Sequence, residues 1–251
     1  MNDKSQLSWS ATRRALGLGG IALVVVLASA CPGEDEGGPA CLEDGSITLP
    51  AGFCATVFAT DLGPARHITV SPAGDVFVAI ADRRDGTPGG IVALRDQDGD
   101  GVSDRRETFA GRGGNGIAWH QGKLYFAQND RIIRYDLPDG VLTPAGPPEV
   151  VVSELPNVGN HNAKTVVVTD TGDLFVNIAS ASNACQEQDR VAGSPGIDPC
   201  PELAVRAGIW RFDGDAINQL ESDGERYATG IRNANALALD AHGALWAAVN
   251  G

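Results

Sequence analysis

The sequence predicts an all-β chain built as a β-propeller, and three observations carry that prediction. First, one phrase returns four times: an apolar run, a polar turn around a glycine, then a second apolar run. It reads HITVSPAGDVFVAI (67–80), GIAWHQGKLYFAQ (116–128), TVVVTDTGDLFVNI (165–178) and ALALDAHGALWAAV (236–249). The turn glycines Gly74, Gly122, Gly172 and Gly243 stand 48, 50 and 71 residues apart, a period that fits one blade of about four strands per copy. Second, 32 glycines and 14 prolines without a collagen period suit many tight turns between short strands. Third, beyond the amino-terminal apolar run no stretch sustains the 3.6-residue apolar spacing of a helix. The fourth copy runs into Gly251, so the expectation is an incomplete propeller with about four blades present.

Taken in order, residues 1–30 read as an export signal. Arg13 and Arg14 form its charged region, and residues 15–27 (ALGLGGIALVVVL) are too short and glycine-rich for a comfortable membrane span. Ala28, Ser29 and Ala30 lead into Cys31. That arrangement resembles a bacterial lipobox, in which Cys31 is lipidated and becomes the mature amino terminus. An ordinary cleaved signal peptide with a cysteine nearby is the plainer alternative. Residues 31–46 form a tether, glycine-rich and charged, and 47–251 form the partial propeller. The protein is expected outside the cytoplasm, in the periplasm or at the cell surface, touching the membrane only through the lipid at Cys31.

The formal net charge of −13, with no run of Lys or Arg beyond the amino-terminal pair, argues against nucleic acid as a partner, since phosphate binding needs a clustered basic face. The acidity reads as solubility outside the cytoplasm, or as cation binding at particular carboxylate clusters. Setting Cys31 aside leaves four cysteines, an even number suited to an oxidising compartment. Of three pairings, Cys41–Cys54 with Cys185–Cys200 is the most economical, each closing a short loop worth about 3 kcal/mol by chain entropy. A metal site is the poorer reading, because no C-x-x-C pair and no neighbouring histidine exists.

Within the propeller, ITLPAGFCATVFATDL (47–62) reads as an outer strand leading into the first repeat. Strand signals follow in GGIVALRD, RETFAG, RIIRYDL, PEVVVSEL, AGIWRFDG and ERYATGI, most of them bounded by Gly, Pro, Asp or Asn. The long third spacing comes from an insertion at 183–206, polar, proline-containing and clasped by Cys185 and Cys200. Loops of that length in a compact domain tend to be functional or covering segments.

Three motifs could carry chemistry. DQDGDGVSDRRE (96–107) offers Asp96, Asp98, Asp100, the Val102 carbonyl, Asp104 and Glu107, with Gly101 at the sharp turn. This is the ligand pattern of a twelve-residue Ca2+ loop, because alternate residues of a tight loop aim oxygens at a hard cation. Its flanks read as strands, so the expectation is a stabilising Ca2+ site in a hairpin, with a solvated acidic turn as the alternative. GNHNAKT (159–165) places His161 just before the inner strand of the third repeat, and TGIRNANAL (229–237) places Arg232 and Asn233 at the matching point of the fourth. Residues there line the mouth of a propeller's channel. Taken alone, a single histidine reads equally as structural, and Arg-Asn as a turn that bonds its own backbone.

Together the repeats, the GDGVSD turn, the GNHNAKT segment and the GIRNA segment resemble the soluble pyrroloquinoline quinone (PQQ)-dependent sugar dehydrogenases, the glucose/sorbosone dehydrogenase group, from about Leu49 to the end. The resemblance implies a six-bladed-type propeller with PQQ over its channel and an oxidoreductase acting on a sugar or sugar aldehyde. It implies His161 as the general base, taking the substrate's hydroxyl proton while a hydride passes to the quinone. Arg232 and Asn233 would contact the quinone oxygens, with Arg232 stabilising the charge that develops there. Lys164 or Ala163 stands where the family carries an arginine, and Asn160 where glucose dehydrogenases carry an aspartate. The glutamine expected ahead of the second inner strand is absent; GRGGNGIAW has Arg112 and Asn115 nearby. The family's cofactor-linked calcium loop begins about at Asn250 and Gly251, so the chain would hold part of a quinone site and be inactive as it stands. The electron acceptor is not legible. A non-catalytic extracytoplasmic propeller that binds a partner is the second reading. A lactonase-type propeller is the third, disfavoured because no Glu/Asp/Asn set recurs at the inner-strand entrances.

Overall fold

The computed structural model describes residues 47–249; expectations for the export signal, Cys31, the tether, Cys41, Asn250 and Gly251 fall outside the described residues. The described residues are all-β, laid out in four successive sheets. The first orders β1 (Ala65–Val70), β2 (Val76–Ile80), β3 (Gly90–Arg95) and β4 (Arg105–Phe109) as an antiparallel meander. The second repeats this with β5 (Gly116–His120), β6 (Lys123–Ala127), β7 (Ile132–Asp136) and β8 (Glu149–Ser153). The third holds β9 (Val166–Val168), β10 (Asp173–Ile178) and β11 (Gly208–Asp213). After β11, β12 (Gln219–Leu220) crosses back to lie parallel beside β8, and β13 (Glu225–Thr229) closes the third sheet. β14 (Ala234–Leu239) and β15 (Leu245–Val249) form the fourth pair. Among the described residues the helical segments are two short 3-10 turns, Pro201–Ala204 and Glu221–Asp223.

The recurring phrase is the hairpin between the first and second strand of each sheet. Gly74, Gly122, Gly172 and Gly243 all have φ between +78° and +87°, a region that costs glycine nothing. In three of the four turns the glycine amide donates to the carbonyl three residues back: Ser71, Thr169 and Asp240.

Burial explains why the middle strands read as continuous apolar runs. Successive side chains of a strand point to opposite faces, and here each face meets a different neighbour. On β2, Phe77 and Ala79 join Leu124, Phe126 and Ile133 of the second sheet. Val78 and Ile80, on the opposite face, pack on Phe58, Ala59 and Leu62. On β6, Leu124 and Phe126 face the first sheet, while Tyr125 and Ala127 face Leu174, Val176, Trp210 and Phe212 of the third. The apolar core is therefore a series of slabs between sheets, as radial repetition requires.

The first strands converge. β1 packs on β5, β5 on β9, and β9 on β14. At Gly116 on β5, an added Cβ would lie 2.8 Å from the Lys164 carbonyl oxygen and 3.0 Å from the Thr165 Cα, so the approach of the second sheet to the third admits no side chain. Segment 47–62 departs from expectation. It forms no strand, and instead covers the first sheet's open face. Its polar ties are individual bonds: Ser103 N donates to the Phe58 carbonyl, and the Arg106 guanidinium to the carbonyls of Thr60 and Asp61. Pro50, Gly52 and Gly63 interrupt the period-two pattern a ladder needs.

Candidate functional site

The convergence of β1, β5, β9 and β14 leaves a polar channel at its centre. One cavity of about 410 Å³ is lined by Arg66, His67, Asn115, Thr165, Asn233 and Asn235, among others. A second of about 430 Å³ shares Arg66, Asn115, Ala163, Asn233 and Asn235 with it and adds Asp82 and Asn162. These sizes lie in the range of small-molecule sites. His67 spans the channel, with Nδ1 2.9 Å from the Asn115 carbonyl oxygen and Nε2 2.8 Å from that of Asn235. Asn115 Nδ2 donates to the Lys164 carbonyl and the Thr165 hydroxyl to that of Ala234, linking neighbouring sheets. Asn162 Oδ1 is a buried acceptor with no partner, an uncommon condition for a buried polar atom.

Beside this channel the structure brings His161 and Arg232 together, 71 positions apart in sequence. Their meeting point is Ser180, which follows β10. The Ser180 amide donates to the Arg232 carbonyl at 2.8 Å. His161 Nδ1 lies 3.0 Å from the Ser180 carbonyl and 3.3 Å from its hydroxyl. A carbonyl only accepts, so Nδ1 carries the proton and the neutral ring keeps its lone pair on Nε2. That is the tautomer a proton acceptor needs. The Arg232 guanidinium donates to Asn183 Oδ1 at 2.6 Å. Asn233, next along, lies on the channel wall, where Asn177 Nδ2 donates to its Oδ1 and its own Nδ2 donates to Asn235.

Lys164 sits apart from these. None of its surface is exposed, and its Nζ donates to the carbonyls of Pro156 and Asn162 at 2.8 and 2.7 Å. Burial, reinforced by the Arg206 guanidinium and opposed by Asp130, brings its ammonium down to about 7. Arg206 is also buried, bonded to the carbonyls of Ala179 and Val158, and burial lowers its pKa. The two cations brace the loop carrying His161 from beneath. Ala163, the other residue of that register, lines the channel.

The insertion after β10 lies over the same corner. Cys185 and Cys200 form the expected disulfide. Glu202 accepts from the amides of Ala181 and Ser182, and Asp189 from Asn160 Nδ2 and the Asn183 amide.

The acidic motif forms the turn between β3 and β4. Carboxylate oxygens of Asp96, Asp98 and Asp104 lie within 4.8 Å of one another. Asp96 accepts from the amides of Gly99 and Gly101, and Gly101's hydrogen bond, first among several, holds its carboxyl below the usual range. Asp100 accepts from the Val102 amide. Glu107 lies outward on β4 with Arg105 at 3.2 Å, outside the trio.

Sequence reasoning missed Ser180, Asn183 and Asp189, which lie after an inner hairpin or inside an insertion. It also missed Arg66, His67, Asn162 and Asn235. One signal was available for the asparagines: no mixed Glu/Asp/Asn set recurs, but asparagine alone does, with Asn115, Asn162, Asn233 and Asn235 at or near the start of three inner strands.

Comparison with solved structures finds the same fold. The holo form of the pyranose dehydrogenase PQQ domain from Coprinopsis cinerea matches with a TM-score of 0.66 and 18% identity, over 80% of this chain and 47% of that one. The iodide structure of Trichoderma reesei Carbohydrate-Active Enzymes Family AA12 matches at 0.61 and 18%, over 76% and 46%. The calcium structure of the same family and organism matches at 0.61 and 18%, over 76% and 47%. The chain thus spans about half the length of these structures. The comparison with curated proteins gave no match. A family model described as TrAA12-like matches residues 47–251, the whole stretch that builds the sheets and the channel mouth, and the chain belongs to that family.

Proposed function

We propose that the protein is an exported oxidoreductase that oxidises a sugar, a pyranose or sugar aldehyde, with PQQ held over the channel mouth. The observation that carries this reading is the meeting of His161 and Arg232 through Ser180 beside a channel lined by amides. The solved relatives support it, since the Coprinopsis cinerea structure is a pyranose dehydrogenase PQQ domain. The residues present fit such a group. Asn162 Oδ1 is a buried acceptor lacking a donor, and Arg66, Asn233 and Asn235 give the mouth the donors that quinone and carboxylate oxygens take.

When bound, PQQ supplies a two-electron acceptor at a carbonyl carbon. The chain supplies the rest. Nδ1 of His161 is committed to Ser180, so Nε2 would be the atom that takes the substrate's hydroxyl proton. Arg232, whose guanidinium donates to Asn183, would supply positive charge to the quinone oxygens, and Asn233, on the channel wall, would contact them beside it. Lys164 fixes the segment between them from inside.

The cysteine at position 31 is proposed to anchor the protein to the membrane surface, outside the cytoplasm. The Asp96, Asp98 and Asp104 turn is proposed as a stabilising Ca2+ site, its carboxylate oxygens being the ligand type that ion takes. The test is direct. The whole protein, given PQQ and Ca2+, reduces a dye with aldoses, sorbosone or another pyranose, and His161→Gln abolishes the reduction while retaining quinone. Absence of both quinone uptake and dye reduction in the unaltered protein would leave a non-catalytic binding propeller.

A further inference from the structure

The insertion that lengthens the third repeat does more than cover the fold. Its first residues descend directly from Ser180, the meeting point of the site, and it is tied at both ends. Glu202, from the short turn after Cys200, accepts from the amides of Ala181 at 2.6 Å and Ser182 at 3.0 Å. The Ser182 hydroxyl accepts from the Cys185 amide at 2.9 Å, and the Cys185–Cys200 disulfide joins the two ends. From this insertion two polar side chains reach back to the site, Asn183 just before Cys185 and Asp189 inside the disulfide-closed loop. Asn183 Oδ1 accepts from the Arg232 guanidinium at 2.6 Å. The Asp189 carboxylate accepts from Asn160 Nδ2 at 2.8 Å, next to His161, and from the Asn183 amide at 2.7 Å. A continuous chain of bonds therefore runs Arg232, Asn183, Asp189, Asn160, with His161 tied to Arg232 separately through Ser180.

We propose that the disulfide-clasped insertion at 183–206 is the positioning element of this site, with Asn183 fixing the Arg232 guanidinium and Asp189 fixing the turn that carries His161 while setting a negative charge beside it. This inference rests on the proposed function above. The charge has a use there. A base that takes a proton becomes a cation, and a fixed carboxylate nearby stabilises it without touching the substrate. The Asp189 carboxyl is held below the usual range, first by the Asn183 amide, then by Asn160, Arg190 and His161 in turn. Asn183 acts differently: its Oδ1 accepts from one end of the Arg232 guanidinium, and a guanidinium held by one bond fewer positions a quinone less firmly.

The two residues predict different losses, which separates positioning from mere stability. In the whole protein, Asp189→Asn keeps a hydrogen-bonding group but removes the charge. Turnover should fall about tenfold with KM and quinone affinity unchanged within about twofold, and Asp189→Glu should recover part of it. Asn183→Ala should weaken PQQ binding, followed by fluorescence quenching, by about tenfold or more. A readout without quinone runs beside these. In the cofactor-free protein the Asn183 amide should exchange slowly with deuterium, and Asp189→Ala, which deletes its acceptor, should speed that exchange at an unchanged melting temperature. If exchange at Asn183 does not respond, or if both variants lower turnover, affinity and melting temperature together, the loop is only structural and the proposal falls. If exchange responds but the unaltered protein neither binds quinone nor reduces a dye, the loop positions these side chains for other chemistry, and it is the proposed function that falls.

Discussion

The acidic turn between β3 and β4 and the channel mouth are both dense in polar side chains, yet they are built on opposite principles. In the turn the carboxylates bond locally, and a remote tie comes only from the backbone, the Ser103 amide on the Phe58 carbonyl. Asp96 serves Gly99 and Gly101, Asp100 serves Val102, and Asp104 serves Gln97. At the mouth the partners are remote: His161 with Ser180, Arg232 with Asn183, His67 with Asn235. The turn would keep much of its shape as an isolated hairpin. The mouth exists only when the sheets stand around a common axis. A local motif is legible from spacing, while a shared site is legible only through the fold that assembles it.

The largest effect is expected at the mouth. His161→Ala should lower quinone-dependent dye reduction by a factor on the order of 10² to 10⁴, the worth of a positioned base, with an unchanged melting curve. A parallel loss of melting temperature would mean that the ring is structural.

Next comes the convergence of the inner strands. Gly116→Ala places a methyl against the backbone of Lys164 and Thr165, which should cost about 1–3 kcal/mol in denaturant unfolding. A neutral result would show that β5 and β9 are further apart than described.

Lys164 gives a pH-dependent test. Its native value of about 7 lies below the ordinary 10.5, so between those limits the unfolded chain binds the extra proton. Stability then rises with pH through that window, by at most about 1.4 kcal/mol per unit. The two carbonyl acceptors on Nζ favour the ammonium and moderate the slope. Lys164→Met should flatten the dependence of melting temperature on pH between 7 and 10; an unaltered slope would assign it to other groups.

The smallest effect belongs to the turn. Chelation should lower the melting temperature by a few degrees in the native protein, about 1 kcal/mol in a domain of this size, and Asp98→Ala should erase the difference. A chelator response that survives this substitution would place the ion elsewhere.

How much the sequence disclosed follows the same division. The four hairpin glycines, the succession of strands along the chain and the Cys185–Cys200 loop could be read directly, because each depends on nearby residues, whereas the crossing of β12 to β8 could not. His161, Arg232 and Asn233 were found through their position before an inner strand. Ser180 and Asp189 were not, since nothing local marks a serine after β10 or an aspartate in a polar loop. Segment 47–62 was misread as a strand because its apolar residues, Phe58, Ala59 and Leu62, serve a sheet face and not a ladder. Lys164 was legible as a position but not as a buried one, because burial at the third inner strand comes from the second and fourth sheets.

One measurement bears on the whole account: a crystal structure of the complete protein soaked with PQQ and Ca2+. The quinone should lie over the mouth where β1, β5, β9 and β14 meet, in contact with Arg232 and Asn233, and with His161 Nε2 turned toward its reactive face. A quinone bound on an outer sheet face, or His161 and Arg232 found on separate surfaces, would contradict it.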